Sequence, residues 1–224
     1  GNDLDILGNS VVKLLDKDQN VIDETFTDNK GKFEFKVYTD ENYILIGEKE
    51  NYFSTRGDFS TIGKSLDKSK LKEFITNVEF EKNLVLNKIE VNKSIVLDNI
   101  YYDLNKADIR DDAAIELDKL VIIMVDNPTI SIELSSHTDD RATVEYNQQL
   151  SQRRAESAVS YIISKGINKE RIAAKGYGES QLLILNAKTE DEHQKNRRTE
   201  FKVTSYEFID DTGADDEDRF FNNN

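Results

Sequence analysis

From Val11 onward the chain alternates apolar and polar residues in short runs. VVKLL, the polar turn DKDQN, VIDETFT, a second turn DNKG and then KFEFKVY follow one another at the spacing of antiparallel strands. Phe33, Phe35 and Val37 alternate with lysines and Glu34, the period of a half-buried strand. Asn29 and Gly31 are the residues expected to take positive φ at the second turn. YILIGEKENY and NVEFEKNLVL read as further strands on either side of a polar stretch, STIGKSLDKSKLKEF. The pattern over residues 1–90 predicts an antiparallel β-sandwich. Its first strand starts so near residue 1 that a partner strand cut away upstream is one expectation.

After Glu90 the period changes. Val91–Tyr102 is strand-like, and DDAAIELDKLVIIMVDNP has a helical period with Ala114, Leu117, Val121 and Met124 on one face. Asp111 and Asp112 suit the first turn of that helix, and Asn127-Pro128 ends it. A strand at TISIELSS precedes a helix over 152–165, with Ser151 as N-cap and Gly166 as terminator. A strand over 171–177, a short charged helix over 190–196 and the strand RTEFKVTSY complete residues 91–208. Strands alternating with helices imply a mixed sheet with helices packed on it, so the fold class is α+β. The last stretch, from 209 on, is strongly acidic and reads as a disordered tail.

Composition narrows the function classes. The chain has 224 residues and a net charge of −14, with 33% charged and 37% hydrophobic residues. A basic face for phosphate is missing, which argues against nucleic acid and against anionic lipid as partners. No apolar run approaches the ~18 residues of a membrane-spanning helix. The opening GNDLDIL lacks the basic-then-apolar pattern of a signal peptide, so the chain is either cytosolic or a mature form or fragment without its targeting segment. With no cysteine, disulfides, thiol chemistry and thiolate metal sites are excluded.

The stretch SSHTDDRATVEYNQQLSQRRA concentrates the chemistry. A helix capped by Ser151 would carry Arg153 and Arg154 in its first turn, against the positive end of the helix dipole. At the third position after the cap, where a capping box has Glu or Gln, stands Arg154. Free backbone N–H groups beside a planar guanidinium form a candidate anion site. Asp139 follows the preceding strand, where ligand groups gather. An acid and an arginine side by side could grip a ligand that bears both ammonium and carboxylate. They could equally make a surface ion pair worth about 0–1 kcal/mol.

HTD, Asn147, LSxRRA, GxxxxRI, GYGES and NRRTEF, in this order over about residues 95–205, resemble the peptidoglycan-binding domain of the OmpA C-terminal family, with Tyr102-Asp103 as the opening pair. The resemblance implies non-covalent binding of the peptidoglycan stem peptide of diaminopimelate type. Asp139 matches the family's aspartate for the ammonium, and Arg154 its arginine for the α-carboxylate. Thr138, Asn147 and Leu150 match positions lining the same pocket, and Arg198 the second arginine of NRR. Asp103 either lines the pocket or ends the strand. The sequence departs from the family pattern at Ser136, Ala142, Leu182 and Glu192, where glycine, glycine, proline and glycine are usual. More weakly, TDxxGKFEFKV over Thr27–Val37 is similar to carboxypeptidase regulatory-like sandwiches. That pairing is familiar in cell-envelope proteins of the Bacteroidota, including type IX secretion components, and implies a periplasmic, outer-membrane-associated protein.

Other signals stay bland. His137 and His193 lack the company a metal site needs, and adjacency of Ser135, Ser136 and His137 does not indicate a catalytic pair. Gly176-x-Gly178 lacks the third glycine of a dinucleotide fingerprint. Tyr101 and Tyr102 read as core or sheet-face residues rather than a stacking platform, and Arg153 as exposed. The expectation is a non-enzymatic wall anchor with no cofactor, whose N-terminal sandwich is a spacer or meets other envelope proteins. The alternative is a periplasmic interaction scaffold whose pocket does not bind wall.

Overall fold

Strand β1 (Val11–Leu15) turns its alternate residues Val12 and Leu14 inward, and β3 (Asn42–Glu48) does the same with Tyr43 and Leu45. Together with β2 (Val21–Phe26) and β4 (Thr55–Ser60) they form an antiparallel sheet of order β2-β1-β3-β4. Leu14 pairs with Leu45 in the β1–β3 register, which lines the inward residues up as one layer. The computed structural model describes residues 5–64, 78–97, 100, 102 and 107–207. The chain divides into two compact units, one ending at Ile89 and the other beginning at Glu90.

Two segments expected as strands in the first unit form no ladder. Residues 32–38 keep the predicted alternation, and Phe33, Phe35 and Val37 pack on the Val12–Leu14–Tyr43–Leu45 cluster. Residues 78–87 contribute Leu84 to the same cluster without strand pairing. Apolar contact holds both against the sheet, and the second is also tied by Thr55 Oγ1 donating to the Val85 carbonyl and by Phe53 N–H donating to the Asn87 carbonyl. In the DNKG turn Gly31 alone has positive φ (+70°), and Asn29 does not. Asp28 Oδ1 does the rest, accepting the N–H groups of Lys30 and Lys32. Most of STIGKSLDKSKLKEF and the acidic tail lie outside the described residues.

The second unit is a mixed sheet of order β5-β8-β6-β7, built from β5 (Ile95–Leu97), β6 (Ser131–His137), β7 (Ile172–Gly178) and β8 (Thr199–Ser205). β6 and β7 are parallel, and the other pairs are antiparallel. Helix α2 (Val144–Ser164) crosses between β6 and β7 and packs along both, and α1 (Asp111–Asp126) packs on α2. The face α1 buries is Ala113, Leu117, Leu120 and Met124; Ala114 and Val121, expected there, are only half buried. Its C-terminal end and the turn after it are tied off by Arg171, whose guanidinium donates to the backbone oxygens of Met124, Asn127 and Ile130. Helix α3 (Glu190–Asn196) opens with a capping box between Thr189 and Glu192.

The largest correction concerns α2. It starts at Val144 with Thr143 as N-cap, its Oγ1 accepting the N–H of Tyr146, eight residues before the expected start at 152. Ser151 is therefore a buried mid-helix residue, and Arg153 and Arg154 lie in the helix interior, away from its N-terminal dipole. Ser151 Oγ donates to the Gln148 carbonyl and accepts the N–H of Gly178. Gln152 Oε1 accepts the N–H of Gly176, and Gln148 Nε2 donates to its carbonyl. The outer edge of β7 is thus satisfied by side chains of α2.

Candidate ligand-binding site

Along α2 the buried positions are Asn147, Leu150, Ser151, Arg154, Ala155, Ala158, Val159 and Ile162, one continuous helical face. The second half of that face is apolar and belongs to the core. The first half is polar apart from Leu150 and meets the loop that leaves β6. There Asn147 Nδ2 donates to the Asp139 carbonyl and to Glu179, and Thr138 N–H donates to the Gly178 carbonyl. These bonds hold Asp139 at the strand end, where it is only 7% exposed, while Arg154 is 8% exposed.

The site's electrostatics centre on Asp139. Burial would raise its pKa, but hydrogen bonds from Arg141 and Arg197 outweigh that and hold it below the ordinary carboxylate value. Arg141 Nη2 lies 2.7 Å from Asp139 Oδ2, and Arg197 Nη1 lies 2.7 Å from the same oxygen. Both arginines also pair with Glu190 at the start of α3. His193 Nδ1 is 3.9 Å from Asp139 and 3.8 Å from Asp140.

Arg154 stands on an aromatic floor. Its guanidinium carbon lies 4.8 Å from the Tyr102 ring centroid, a cation–π geometry, and the Tyr102 hydroxyl donates to the Arg154 carbonyl at 3.2 Å. Burial is the largest influence on the guanidinium and disfavours its charge, while Tyr102, Tyr146 and Asp139 offset it. Tyr102 is accordingly the platform beneath the arginine, not the plain core residue expected. Arg153 is exposed, as expected.

The structure therefore puts Asn147, Leu150 and Arg154 on one buried face of α2 and ties Asn147 to Asp139, which follows Thr138 at the end of β6. Arg198 goes elsewhere. Its guanidinium is buried against Glu200, whose other oxygen lies 3.7 Å from His137 Nε2, so the first arginine of NRR and not the second reaches Asp139. Asp103 and Tyr101 lie outside the described residues. Arg141, Glu190, Arg197 and His193 were not singled out from the sequence as part of the site. The NRR motif was the one available signal, and it does not tell which arginine turns inward. Asn196 of the same motif is structural: fully buried, it accepts the N–H groups of Leu183 and Ile184 and donates to the Ile184 carbonyl. Thr138 Oγ1 is buried and makes no hydrogen bond among the described residues.

A strand-end carboxylate and a buried guanidinium on the crossover helix thus lie in an α+β domain built on a mixed sheet. Residues 101–197 match the model of the OmpA family. The chain is 34% identical over 105 residues to outer membrane porin F of Pseudomonas fluorescens, covering 47% of this chain and 32% of that protein. It is 32% identical over 100 residues to the peptidoglycan-associated lipoprotein of Buchnera aphidicola, covering 45% of this chain and 57% of the relative. The chain thus spans less than two thirds of these relatives. Among solved structures, the peptidoglycan-associated lipoprotein of Burkholderia pseudomallei is 25% identical with a TM-score of 0.43, over 46% of this chain and 87% of that one.

Proposed function

We propose that the second unit binds the peptide stem of peptidoglycan non-covalently, with Asp139 taking an ammonium and Arg154 a carboxylate of a diaminopimelate-type residue. The observation that carries this reading is the burial of both charges at one end of the β6–α2 crossover of an OmpA-like domain. A diamino acid offers a carboxylate and an ammonium on one short scaffold, the charges that a guanidinium and a carboxylate complement. The buried Thr138 hydroxyl next to Asp139 has no hydrogen-bond partner among the described residues, which suits a polar ligand there. Similarity to a peptidoglycan-associated lipoprotein supports the same ligand. In this reading the protein is a non-enzymatic anchor in the periplasm, tying an outer-membrane complex to the wall. The first unit is its spacer or docking module, and a type IX secretion assembly is the setting the sequence resemblance implies.

One observation favours the scaffold alternative: in this structure Asp139 is already paired with two arginines. Co-sedimentation with purified peptidoglycan sacculi decides between the two. Wild type is expected in the pellet, and Asp139→Ala or Arg154→Ala to lose most of it while keeping the far-UV spectrum. The loss of a charge-assisted bond worth about 1.5–3 kcal/mol corresponds to roughly 10–150-fold in affinity. Equal sedimentation of both variants and wild type refutes the assignment of the pair, and a soluble wild type favours the scaffold.

A further inference from the structure

Asp139 Oδ2 is covered from two sides, and Oδ1 accepts the backbone N–H of Arg141 at 3.3 Å. Arg141 reaches Oδ2 with Nε at 2.9 Å and Nη2 at 2.7 Å, and Arg197 with Nη1 at 2.7 Å. The same two arginines share Glu190, Arg141 Nη1 at 2.8 Å and Arg197 Nη2 at 2.6 Å. Two acids and two guanidiniums thus alternate in a closed ring. An ammonium approaching that oxygen meets two like charges and little free lone-pair capacity. One guanidinium has to leave before a cation can bind.

The two are not equally held. Arg197 follows α3, its side chain is 23% exposed, and it also donates to Gln194. Arg141 sits in the loop between β6 and α2 with its side chain 49% exposed. When Arg141 swings out, both acids keep Arg197 as partner, and the bonds given up are those of a half-exposed ion pair. We propose that Arg141 is a resident counter-cation that occupies the ammonium position on Asp139 and is exchanged for the ligand's ammonium, which makes it a specificity-determining residue of the site. This role presupposes that Asp139 receives the ammonium, as proposed above. Exchange has a signature: binding replaces one ion pair on Asp139 by another, whereas without Arg141 it creates a new one. Removing Arg141 should both tighten binding and steepen its dependence on salt.

Isothermal titration of the full 224-residue chain with a soluble diaminopimelate-containing muropeptide tests this, using wild type, Arg141→Ala and Arg141→Gln. Both variants should bind about 2–5-fold tighter than wild type, the range set by a partly exposed ion pair, with a steeper fall in affinity as salt rises. The gain should vanish for the same muropeptide with its side-chain amine acetylated. Arg153→Ala, which removes an exposed charge outside the ring, should leave affinity unchanged. Binding by the Arg141 variants but not by wild type supports the exchange most directly. Variants that bind no tighter than a binding wild type overturn it and leave the stem-peptide reading standing. An equal gain with the acetylated ligand or with Arg153→Ala also overturns it. If no variant and no wild type binds, the stem-peptide reading fails and the exchange falls with it.

Discussion

Replacing Gly176 by alanine should cost the second unit far more than an alanine at any open glycine. A Cβ there would stand 2.3 Å from the backbone nitrogen of Gln152, 2.6 Å from its Cα and 2.7 Å from Ser151 Oγ. Gly176 is not among the glycines with positive φ, so backbone strain is not the issue; the close approach of α2 to β7 is. The obstructing atoms are mainly helix backbone, which cannot rotate away, so α2 has to move off the strand by roughly an ångström. Overpacking of that kind costs about 1–3 kcal/mol. The displacement also stretches three cross-bonds, Gly176 N–H to Gln152, Gln148 to the Gly176 carbonyl and Gly178 N–H to Ser151. At about 0.5–1.5 kcal/mol each, they bring the total to roughly 2.5–7.5 kcal/mol, a large part of a typical domain's 5–15 kcal/mol. Gly166 is the control: its φ is +99° but nothing lies within 4 Å of an added Cβ. Alanine there pays only for backbone conformation, about 1–2 kcal/mol. Urea unfolding followed by far-UV circular dichroism, read on the transition of the second unit, compares the two. If Gly176→Ala costs no more than Gly166→Ala, the helix–strand contact is not the reason for the glycine.

His137 is buried and stacked on Tyr177, and burial together with Arg198 pulls its pKa from 6.5 to about 4 against the opposing pull of Glu200. The unfolded chain therefore binds the extra proton first. Stability is full above about pH 6.5 and declines as pH falls toward 4, by on the order of 3 kcal/mol. An NMR titration of the His137 ring should show a midpoint near 4, and a midpoint at or above 6 refutes the account. Tyr102→Leu should weaken binding of a carboxylate ligand by about 0.5–2 kcal/mol, the worth of the lost cation–π contact, while Tyr102→Phe should keep most of it; equal losses in titration calorimetry would show that the ring is not the platform.

Element positions were largely legible, and the misses have physical causes. The strand ending at Ser205 and the helix Glu190–Asn196 stand out because charge, capping and alternation agree. For α1 the sequence shows a helix but not its inward face, because Ile115, Ile122 and Val125 on other sides are apolar too and remain exposed. The start of α2 was hidden for a different reason. Its first three turns bury Asn147, Ser151 and Arg154 beside a single leucine, Leu150, so the hydrophobic period is continuous only from Ala155 on. Polar residues facing inward mark functional and docking surfaces, which is where pattern reading is expected to fail. Arg197 and Arg198 illustrate a finer limit. Neighbours entering a strand point to opposite faces, and only the register, with His137 N–H donating to the Arg198 carbonyl, settles which one meets Asp139.

The polar half of α2 also links stability to the site. Apolar burial holds the later turns of the helix, but the turns that carry Asn147 and Ser151 are held by bonds to Asp139 and to the β7 edge. The result is a site with unequal halves. Arg154 is fixed: it is buried, lies over Tyr102, and the hydroxyl of that same tyrosine donates to its backbone carbonyl. A ligand carboxylate would meet a guanidinium already oriented, so little ordering entropy is lost on binding. Asp139 is fixed as well, but its outer oxygen is shared with Arg141, a half-exposed loop residue. On the proposed function the carboxylate half supplies affinity through preorganisation, and the ammonium half supplies selectivity, because only a cation able to replace a guanidinium gains a place there. A neutral analogue, keeping the carboxylate alone, would retain the first contribution and leave the Arg141–Asp139 pair intact.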